Sequence, residues 1–460
     1  MKLLVKILAG LSALLITQII PWGLDEKQTR LCGIIALSLV FLVAEPVPLP
    51  VTMLLASALC VLLGVAEVSE VFSPYADPII FLFLGAFALG VAIQRSGLDV
   101  RIAYTVLKGN KNQKVMLALP LFVCAFLSMW MSNTAAAAII IPLGLSLFKS
   151  ASTKIRRALV LGVAYAASIG GIATPIGTPP NLVGQAYLVK MGYNKMTFGE
   201  WLLLFLPLSL ILCTGLSFLT YIWAGREHEK NSRHLLPDHT LGALTTQEKS
   251  VIAVFAFMLI GWLMPGLIVP KNGGLSLLTR FSEAAVSVLG MVLLFIMPST
   301  ILPYRPLMSW KDAKDIDFGT LILFGGGLSL GSLVIKTGLG QEVGHTLVNI
   351  TNISGQSALV LISVVSAIVL TELVSNTAAA NMVIPVVFSM AVDIGLDPTP
   401  AVVSASIAAS MAFMLPVSTP PNAIAYGTGL VKVTEMLKRG VMLDLFCILT
   451  IWAWVTCLMT

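Results

Sequence analysis

Residues 128–142 read SMWMSNTAAAAIIIP and residues 371–385 read TELVSNTAAANMVIP. In each, a Ser-Asn-Thr triplet (132–134 and 375–377) interrupts an apolar run, is followed by alanines, and meets a proline, Pro142 or Pro385, at a constant offset of 243. Two further matches flank this one. Upstream, FLGAFALGVAIQRSGL (83–98) recurs as FGGGLSLGSLVIKTGL (324–339); downstream, Thr178-Pro179-Pro180-Asn181 recurs as Thr419-Pro420-Pro421-Asn422. Three matches in the same order, at offsets of 241 to 243, mark an internal duplication.

The rest of the composition says where such a duplication lives. Of 460 residues, 57% are hydrophobic and only 11% charged, with a mean hydropathy of +0.94. A soluble domain is about a quarter charged, so most of this surface faces something other than water. Apolar stretches long enough to cross a bilayer recur along the whole chain, which predicts an all-α polytopic membrane protein. The first of them, Leu3 to Trp22, has no small-x-small cleavage site and is read as a retained span. A net charge of +6 is what basic cytosolic loops contribute, and it implies no nucleic acid partner. Cys32, Cys60, Cys124, Cys213, Cys447 and Cys457 lie in or beside apolar stretches with no CxxC spacing, which implies neither a disulfide framework nor a metal centre. His228, His234 and His239 share a polar loop that reads as a solvated linker.

Charge asymmetry orients the two copies. The loops around the first triplet carry Arg95, Arg101, Lys108, Lys111 and Lys114, then Lys149, Lys154, Arg156 and Arg157; the matching loops of the second copy carry only Lys336. Lys and Arg collect on the cytoplasmic side, so the first pair of loops is inside, the second outside, and the copies are inverted. Both loops around each triplet then share a face. Segments 115–148 and 356–390 are therefore expected as re-entrant hairpins with Ser-Asn-Thr at their tips, entering from opposite faces.

Full spans are expected near 7–22, 31–45, 50–66, 79–94, 158–188, 200–224, 250–270, 281–298, 317–335, 400–430 and 440–459. These eleven spans put the amino terminus in the cytoplasm, the carboxyl terminus outside, and 21 of the 28 Lys and Arg residues inside. The expected domains are a scaffold in 1–94 (spans one to four, the repeat beginning near 79) and a first moving half in 95–224. A linker with spans seven to nine in 225–335 and a second moving half in 336–460 complete them.

Polar triplets inside lipid are costly unless used, and two at symmetric tips favour use. After each tip a helix begins, offering backbone N–H groups and the positive end of its dipole, with Asn and Thr side chains beside them. No Lys or Arg lies in either tip, so the donors are neutral. Two such tips suit a molecule with a carboxylate at each end. The Thr-Pro-Pro-Asn loops break spans five and ten, because proline removes an N–H and clashes with the preceding turn. Carbonyls freed there, with Asn and Ser oxygens, suit a small hard cation. Ser128 and Thr371 add a hydroxyl one turn below each tip.

Three other features carry less. Glu372, beside the second tip, is read either as a cation or proton group or as an interfacial acid paired with backbone or Lys. Glu45 ends span two and reads as structural. Gly325-Gly326-Gly327 follows no strand, so close helix packing explains it better than a phosphate loop. No histidine lies in the expected core and Glu372 has no evident partner there, which argues against an intramembrane enzyme.

These residues together resemble the divalent anion/sodium symporter family: the paired Ser-Asn-Thr motifs, the paired Thr-Pro-Pro-Asn loops, and SMAFMLPVSTPPNAIAY from Ser410 to Tyr426, which is similar to the family's carboxyl-terminal signature. The likeness covers essentially the whole chain. It implies a plasma-membrane homodimer that carries a C4 or C5 dicarboxylate (succinate, malate, fumarate or 2-oxoglutarate) by an elevator movement, coupled to sodium, with no organic cofactor. It also implies substrate contacts from Ser132, Asn133, Thr134, Ser375, Asn376 and Thr377, with Thr178, Pro179, Thr419 and Pro420 lining the site. One sodium would sit among Ser128, Ser132, Asn133 and Gly177, the other among Thr371, Asn376 and Ser418. Sodium-coupled members usually carry a second threonine where Ala136 and Ala379 stand here, and an aliphatic residue where Pro175 stands. The family includes sodium-independent dicarboxylate exchangers, so exchange is the alternative, as are citrate and sulfate as cargo.

Overall fold

The structure is a computed structural model that describes residues 2–19, 23–107, 113–149, 151–225, 242–268, 282–351 and 353–460. The loop with His228, His234 and His239, and the basic residues Lys108 and Lys111, lie outside the described residues. The four helices that open the chain are α1 (Lys2–Ile19), α2 (Glu26–Ala44), α3 (Leu49–Leu62) and the short α4 (Val68–Phe72). The first copy continues with α5 (Pro78–Ser96), α6 (Leu98–Leu107), α7 (Gln113–Ser128), α8 (Asn133–Leu147), α9 (Thr153–Gly171), α10 (Pro179–Lys190) and α11 (Phe198–Ala224). Next come α12 (Thr246–Ile268) and α13 (Glu283–Ile296). The second copy repeats the series as α14 (Phe318–Lys336), α15 (Leu339–Thr351), α16 (Gln356–Thr371), α17 (Asn376–Asp393), α18 (Pro398–Ala408), α19 (Pro420–Gly427) and α20 (Val433–Met459).

The expected all-α class needs one correction. Between α13 and α14 a two-stranded antiparallel ribbon pairs β1 (Pro298–Thr300) with β2 (Arg305–Pro306). Every expected span coincides with a helix or, for 158–188 and 400–430, with a broken pair (α9 with α10, α18 with α19). Among the described residues, six helical stretches are long and apolar enough to cross a membrane by themselves, and α1, α3, α7, α8 and α13 are shorter apolar helices.

Two helical hairpins occupy the stretches expected as re-entrant. α7 packs on α8, and α16 on α17, across the short turns that hold the two triplets. The stretches expected as loops at 95–114 and 336–356 hold helices instead, α6 and α15. Each is amphipathic: α6 buries Leu98, Ala103 and Leu107, and α15 packs along α17 while its Glu342 and Ile350 faces stay exposed. Alternating charge and apolar residues there form a surface helix rather than a chain connection.

The correspondence between copies extends upstream of position 79. α13 packs on α5 as α3 packs on α14, so each copy lends a helix to the other. Arg95, in the last turn of α5, pairs with Asp312 at 2.7 Å and Asp315 at 2.9 Å. Lys336, at the matching end of α14, pairs with Glu70 of α4 at 3.0 Å. Gln28 of α2 donates to Thr337 O at 2.9 Å, and Gln247 of α12 to Arg95 O at 3.4 Å.

Glycine permits the closest of these crossings. A Cβ on Gly85 of α5 would lie 2.3 Å from Ser287 O of α13, a contact that backbone cannot relieve by rotating a side chain. Gly85→Ala is therefore expected to lower stability by about 1–3 kcal/mol, checked as a drop in the melting temperature of the purified protein. The triple glycine of α14 likewise lies against Tyr75, Met53 and Asn381 in turn, so its role is packing. All six cysteines are free, and Glu45 is the left-handed C-cap of α2 (φ 47°).

Candidate functional site

Each triplet serine caps the helix it opens. Ser132 accepts from Ala135 N at 3.2 Å and Ser375 from Ala378 N at 3.3 Å, with φ,ψ of −61°,140° and −62°,148°. Ser132 O and Ser375 O take the amides of Ala136 and Ala379. The amides of Asn133 and Thr134, and of Asn376 and Thr377, have no partner within their helices and mark the positive pole of each dipole. Ser132 is exposed, Asn133, Thr134, Ser375 and Asn376 are partly exposed, and Thr377 is buried. Ser132 is thus drawn into capping, whereas the side chains of Asn133 and Thr134 take no part in it.

Below each tip the two copies repeat one arrangement. Ser128 Oγ lies 2.5 Å from Asn133 Oδ1 and 2.7 Å from Ala167 O. Thr371 Oγ1 lies 2.9 Å from Asn376 Oδ1 and 2.6 Å from Ala409 O. A hydroxyl has one proton, so in each copy one of the two acceptors is left without it, and three oxygens converge where only one bond is made. This donor set fits a small hard cation, which accepts oxygens from any of the three. With Oδ1 turned down, the Asn133 and Asn376 amide NH₂ groups are left for whatever meets the tips.

The helix breaks also match. Asn181 Nδ2 donates to Gly171 O at 3.0 Å and Thr174 O at 2.8 Å. Asn422 Nδ2 donates to Ala412 O and Leu415 O, both at 3.0 Å. All three pairs of positions differ by 241. The expectation that proline frees the carbonyls of the breaks is corrected here: four of them are held by these two amides. It is the Asn oxygens that remain, since Asn181 Oδ1 and Asn422 Oδ1 are both buried without a hydrogen-bond partner among the described residues. Pro179 and Pro420 open α10 and α19 at the position where proline's missing N–H is not needed. Thr178 and Thr419 are the buried N-caps, and Thr178 Oγ1 lies 3.2 Å from Ser410 Oγ of the other copy's break.

The breaks and tips are brought together crosswise. α19 packs on α8, and α10 on α17, so the Thr-Pro-Pro-Asn helix of each copy rests on the tip helix of the other. Gly171 and Gly177 let the first break close on the first tip. A Cβ on Gly171 would come within 2.9 Å of Asn133 Oδ1, and one on Gly177 within 2.5 Å of Gly171 O. Of the expected sites, Ser128 and Asn133 are joined directly, Gly177 stands next to Gly171, and Thr371 and Asn376 are joined directly. Ala136 and Ala379, at the family's second-threonine position, are fully buried.

Ser418 belongs to a different group. Its hydroxyl lies 2.8 Å from Glu372 Oε2 and 3.0 Å from Glu372 O, and Glu372 Oε1 accepts the amides of Phe413 at 2.5 Å and Met414 at 2.9 Å. The reading of Glu372 as partnerless is thereby overturned, and the backbone-bonded alternative stands. The first copy has Met129 at the equivalent position, where Thr174 Oγ1 donates to the Met129 carbonyl at 2.6 Å. Sequence reasoning missed Asn181 and Asn422 as clamps, although both lie inside the repeated motif. It also missed Asp444, an acid embedded in the apolar run of the last span.

A cavity of 470 Å³ between α2, α3, α14 and the second hairpin is lined mainly by aliphatic side chains such as Leu39, Leu330 and Val386. It contains neither triplet.

Comparisons with known proteins identify the family and the fold. The family described as the sodium:sulfate symporter transmembrane region matches residues 1–460. A sodium-dependent dicarboxylate transporter of Staphylococcus saprophyticus is 33% identical over 460 residues, covering 94% of this chain and 86% of the relative. Its counterpart from Staphylococcus aureus strain USA300 is 31% identical over 450 residues, covering 92% and 85%. The crystal structure of the Alcanivorax borkumensis YdaH transporter, at 14% identity, superimposes with a TM-score of 0.62 over 99% of this chain and 98% of that one, a likeness of fold. The paired triplets and broken helices therefore sit in a multi-pass helical membrane protein, and the chain belongs to the sodium:sulfate symporter family of transporters.

Proposed function

We propose that the protein carries small C4 or C5 dicarboxylates across the plasma membrane by sodium-coupled symport. The observation that supports this reading is the repeated set Ser128–Asn133–Ala167 and Thr371–Asn376–Ala409, which joins a cation-sized group of oxygens to an uncharged anion-binding tip in each copy. The two relatives are named as sodium-dependent dicarboxylate transporters, which favours the same cargo here.

A mechanism follows from the shared side chains. Sodium, when bound, supplies positive charge beside a tip that has none of its own. In each copy the Asn carbonyl belongs to the cation group while its NH₂ faces the substrate, together with the Thr134 or Thr377 hydroxyl and the first amides of the helix. A tip with its oxygens drawn down onto a cation is pre-organised to donate to a carboxylate. Without the cation, Ser128 and Thr371 leave one acceptor of each set unpaired and the Asn orientation less fixed. Binding of ion and anion is in this way coupled through one side chain per copy.

Counting spans from α5 to α14 gives opposite directions for the two copies, with the amino terminus in the cytoplasm and the carboxyl terminus outside. In this reading the hairpins with spans five, six, ten and eleven move as one body against spans one to four and seven to nine, in a homodimer. The fully buried Ala136 and Ala379, where sodium-coupled members usually have threonine, favour a second reading, sodium-independent exchange. Reconstitution separates them. Symport predicts dicarboxylate accumulation into empty proteoliposomes driven by an inward sodium gradient. Uptake that ignores sodium and needs internal dicarboxylate contradicts it.

A further inference from the structure

The cavity between α2, α3, α14 and the second hairpin holds one polar side chain left unsatisfied. Four hydroxyls line it, on Ser38, Thr351, Ser366 and Ser389, and each donates to a carbonyl of its own helix at 2.6–3.2 Å. Asn381 of α17 lines the same cavity, yet neither its Nδ2 nor its Oδ1 has a hydrogen-bond partner among the described residues. The amide is turned against α14, where a Cβ on Gly327 would lie 2.1 Å from Oδ1 and 2.5 Å from Nδ2. The corresponding residue of the first hairpin is Ala138, so the duplication does not account for the amide. Burying an amide with both groups unbonded is costly. Because no bond holds it, turning the amide from Gly327 into the cavity breaks none.

The rest of the lining says what kind of molecule that amide meets. Leu39, Leu330, Val343, Ile362 and Val386 are among the aliphatic side chains around it, and water finds too few partners in such a space. An apolar cavity of about 150 Å³ holds benzene. By the same measure the 470 Å³ here has room for roughly eighteen carbon atoms. The rim lies along helices with apolar outer faces: Ile35 and Leu39 of α2 and Ile362 and Leu370 of α16 are only partly buried, and Val365 and Val369 of α16 are exposed. A ligand therefore arrives from the lipid, and it combines an aliphatic chain with a group that both donates and accepts. A carboxyl group does both in its neutral form, which apolar surroundings favour.

We propose that the cavity binds one long-chain fatty acid, its protonated carboxyl paired with the Asn381 amide and its chain along the aliphatic walls. The carboxyl O–H donates to Oδ1 while the carbonyl oxygen accepts from Nδ2. A phospholipid chain fills the same walls but has no proton to donate to Oδ1. The occupant also spans a seam. In the proposed function α2, α3 and α14 belong to the fixed body, whereas α16 and α17 belong to the moving one. On that reading, which the binding itself does not need, a bound fatty acid wedges the second hairpin against the scaffold and arrests transport.

Equilibrium binding of radioactive palmitic acid to the purified full-length protein tests the site. The wild type is expected to bind one molecule per protomer at saturation. Asn381→Leu keeps the shape of the side chain without its amide and is expected to bind about tenfold more weakly. Leu39→Trp places an indole in the cavity and is expected to abolish saturable binding; Asn381→Leu decides the matter should that variant fail to fold. A wild type without saturable binding, or a folded Leu39→Trp protein that binds as the wild type does, overturns the site. Unchanged affinity in Asn381→Leu overturns the fatty acid as occupant in favour of a bare lipid chain. In proteoliposomes, palmitate is expected to slow dicarboxylate uptake by the wild type and not by Leu39→Trp. A wild type that is saturated with palmitate and still transports at its full rate overturns the arrest. One that binds palmitate but carries no dicarboxylate overturns the proposed function and leaves this site standing.

Discussion

Asn133→Ala and Asn376→Ala each reduce dicarboxylate uptake to the level of protein-free liposomes, while the purified proteins keep yields and melting temperatures close to wild type. Each substitution removes one NH₂ group, with its two N–H donors, from a tip without Lys or Arg, together with the oxygen that Ser128 or Thr371 holds. A hydrogen bond to a charged group is worth about 1.5–3 kcal/mol, so losing the donors to one carboxylate lowers affinity by roughly ten- to ten-thousand-fold. The loss of the cation oxygen adds to this. Both side chains are partly exposed and sit in the first turn of a helix whose cap is a neighbouring serine, so the fold does not depend on them. Uptake assays in proteoliposomes beside thermal melts check the pair. Wild-type uptake by both variants removes these residues from the site.

Asn181→Ala and Asn422→Ala behave differently, losing activity and stability together. Each Asn bonds two carbonyls across a helix break, and both side chains are fully buried. Leaving a buried acceptor unsatisfied costs about 1–3 kcal/mol, so removing either clamp costs roughly 2–6 kcal/mol. The melting temperature falls, and the break no longer holds α10 or α19 on the opposite tip helix. Thermal melts and uptake measured on the same preparations give the comparison. A clamp variant that melts and transports as wild type does would show that the breaks are held by something else.

Those two contrasts also show what was legible in the chain before folding. The hairpins, the tips and the breaks were readable because they use polar residues and prolines at fixed spacing inside apolar runs, where almost any other pattern is excluded. Ser128 and Thr371 were found by their shared offset, and the structure joins each to its Asn. The earlier pairing of α2 and α3 with α12 and α13 was hidden, since positions that meet lipid or a neighbouring helix accept any apolar side chain and keep no identity between copies. α6 and α15 were hidden for another reason: an amphipathic helix carries the same charges as a loop.

The direction of a bond was harder still. Proline breaks suggested free carbonyls, but whether Asn181 presents its amide or its oxygen to them depends on the geometry of the closed break. Glu372 gained its partners from residues 413–418, some forty positions away.

In the proposed reading a mirrored arrangement of the copies makes two tips into one site, and cysteine accessibility measures it. Thr153, at the start of α9, and Asp393, at the end of α17, are both exposed and stand just beyond the two hairpins in corresponding loops. Thr153→Cys and Asp393→Cys, each in a cysteine-free background, are to be treated with a membrane-impermeant maleimide in vesicles of known orientation. Inverted copies predict that Thr153→Cys reacts only from the cytoplasmic side and Asp393→Cys only from the outside. Labelling of both from the same side would contradict the account.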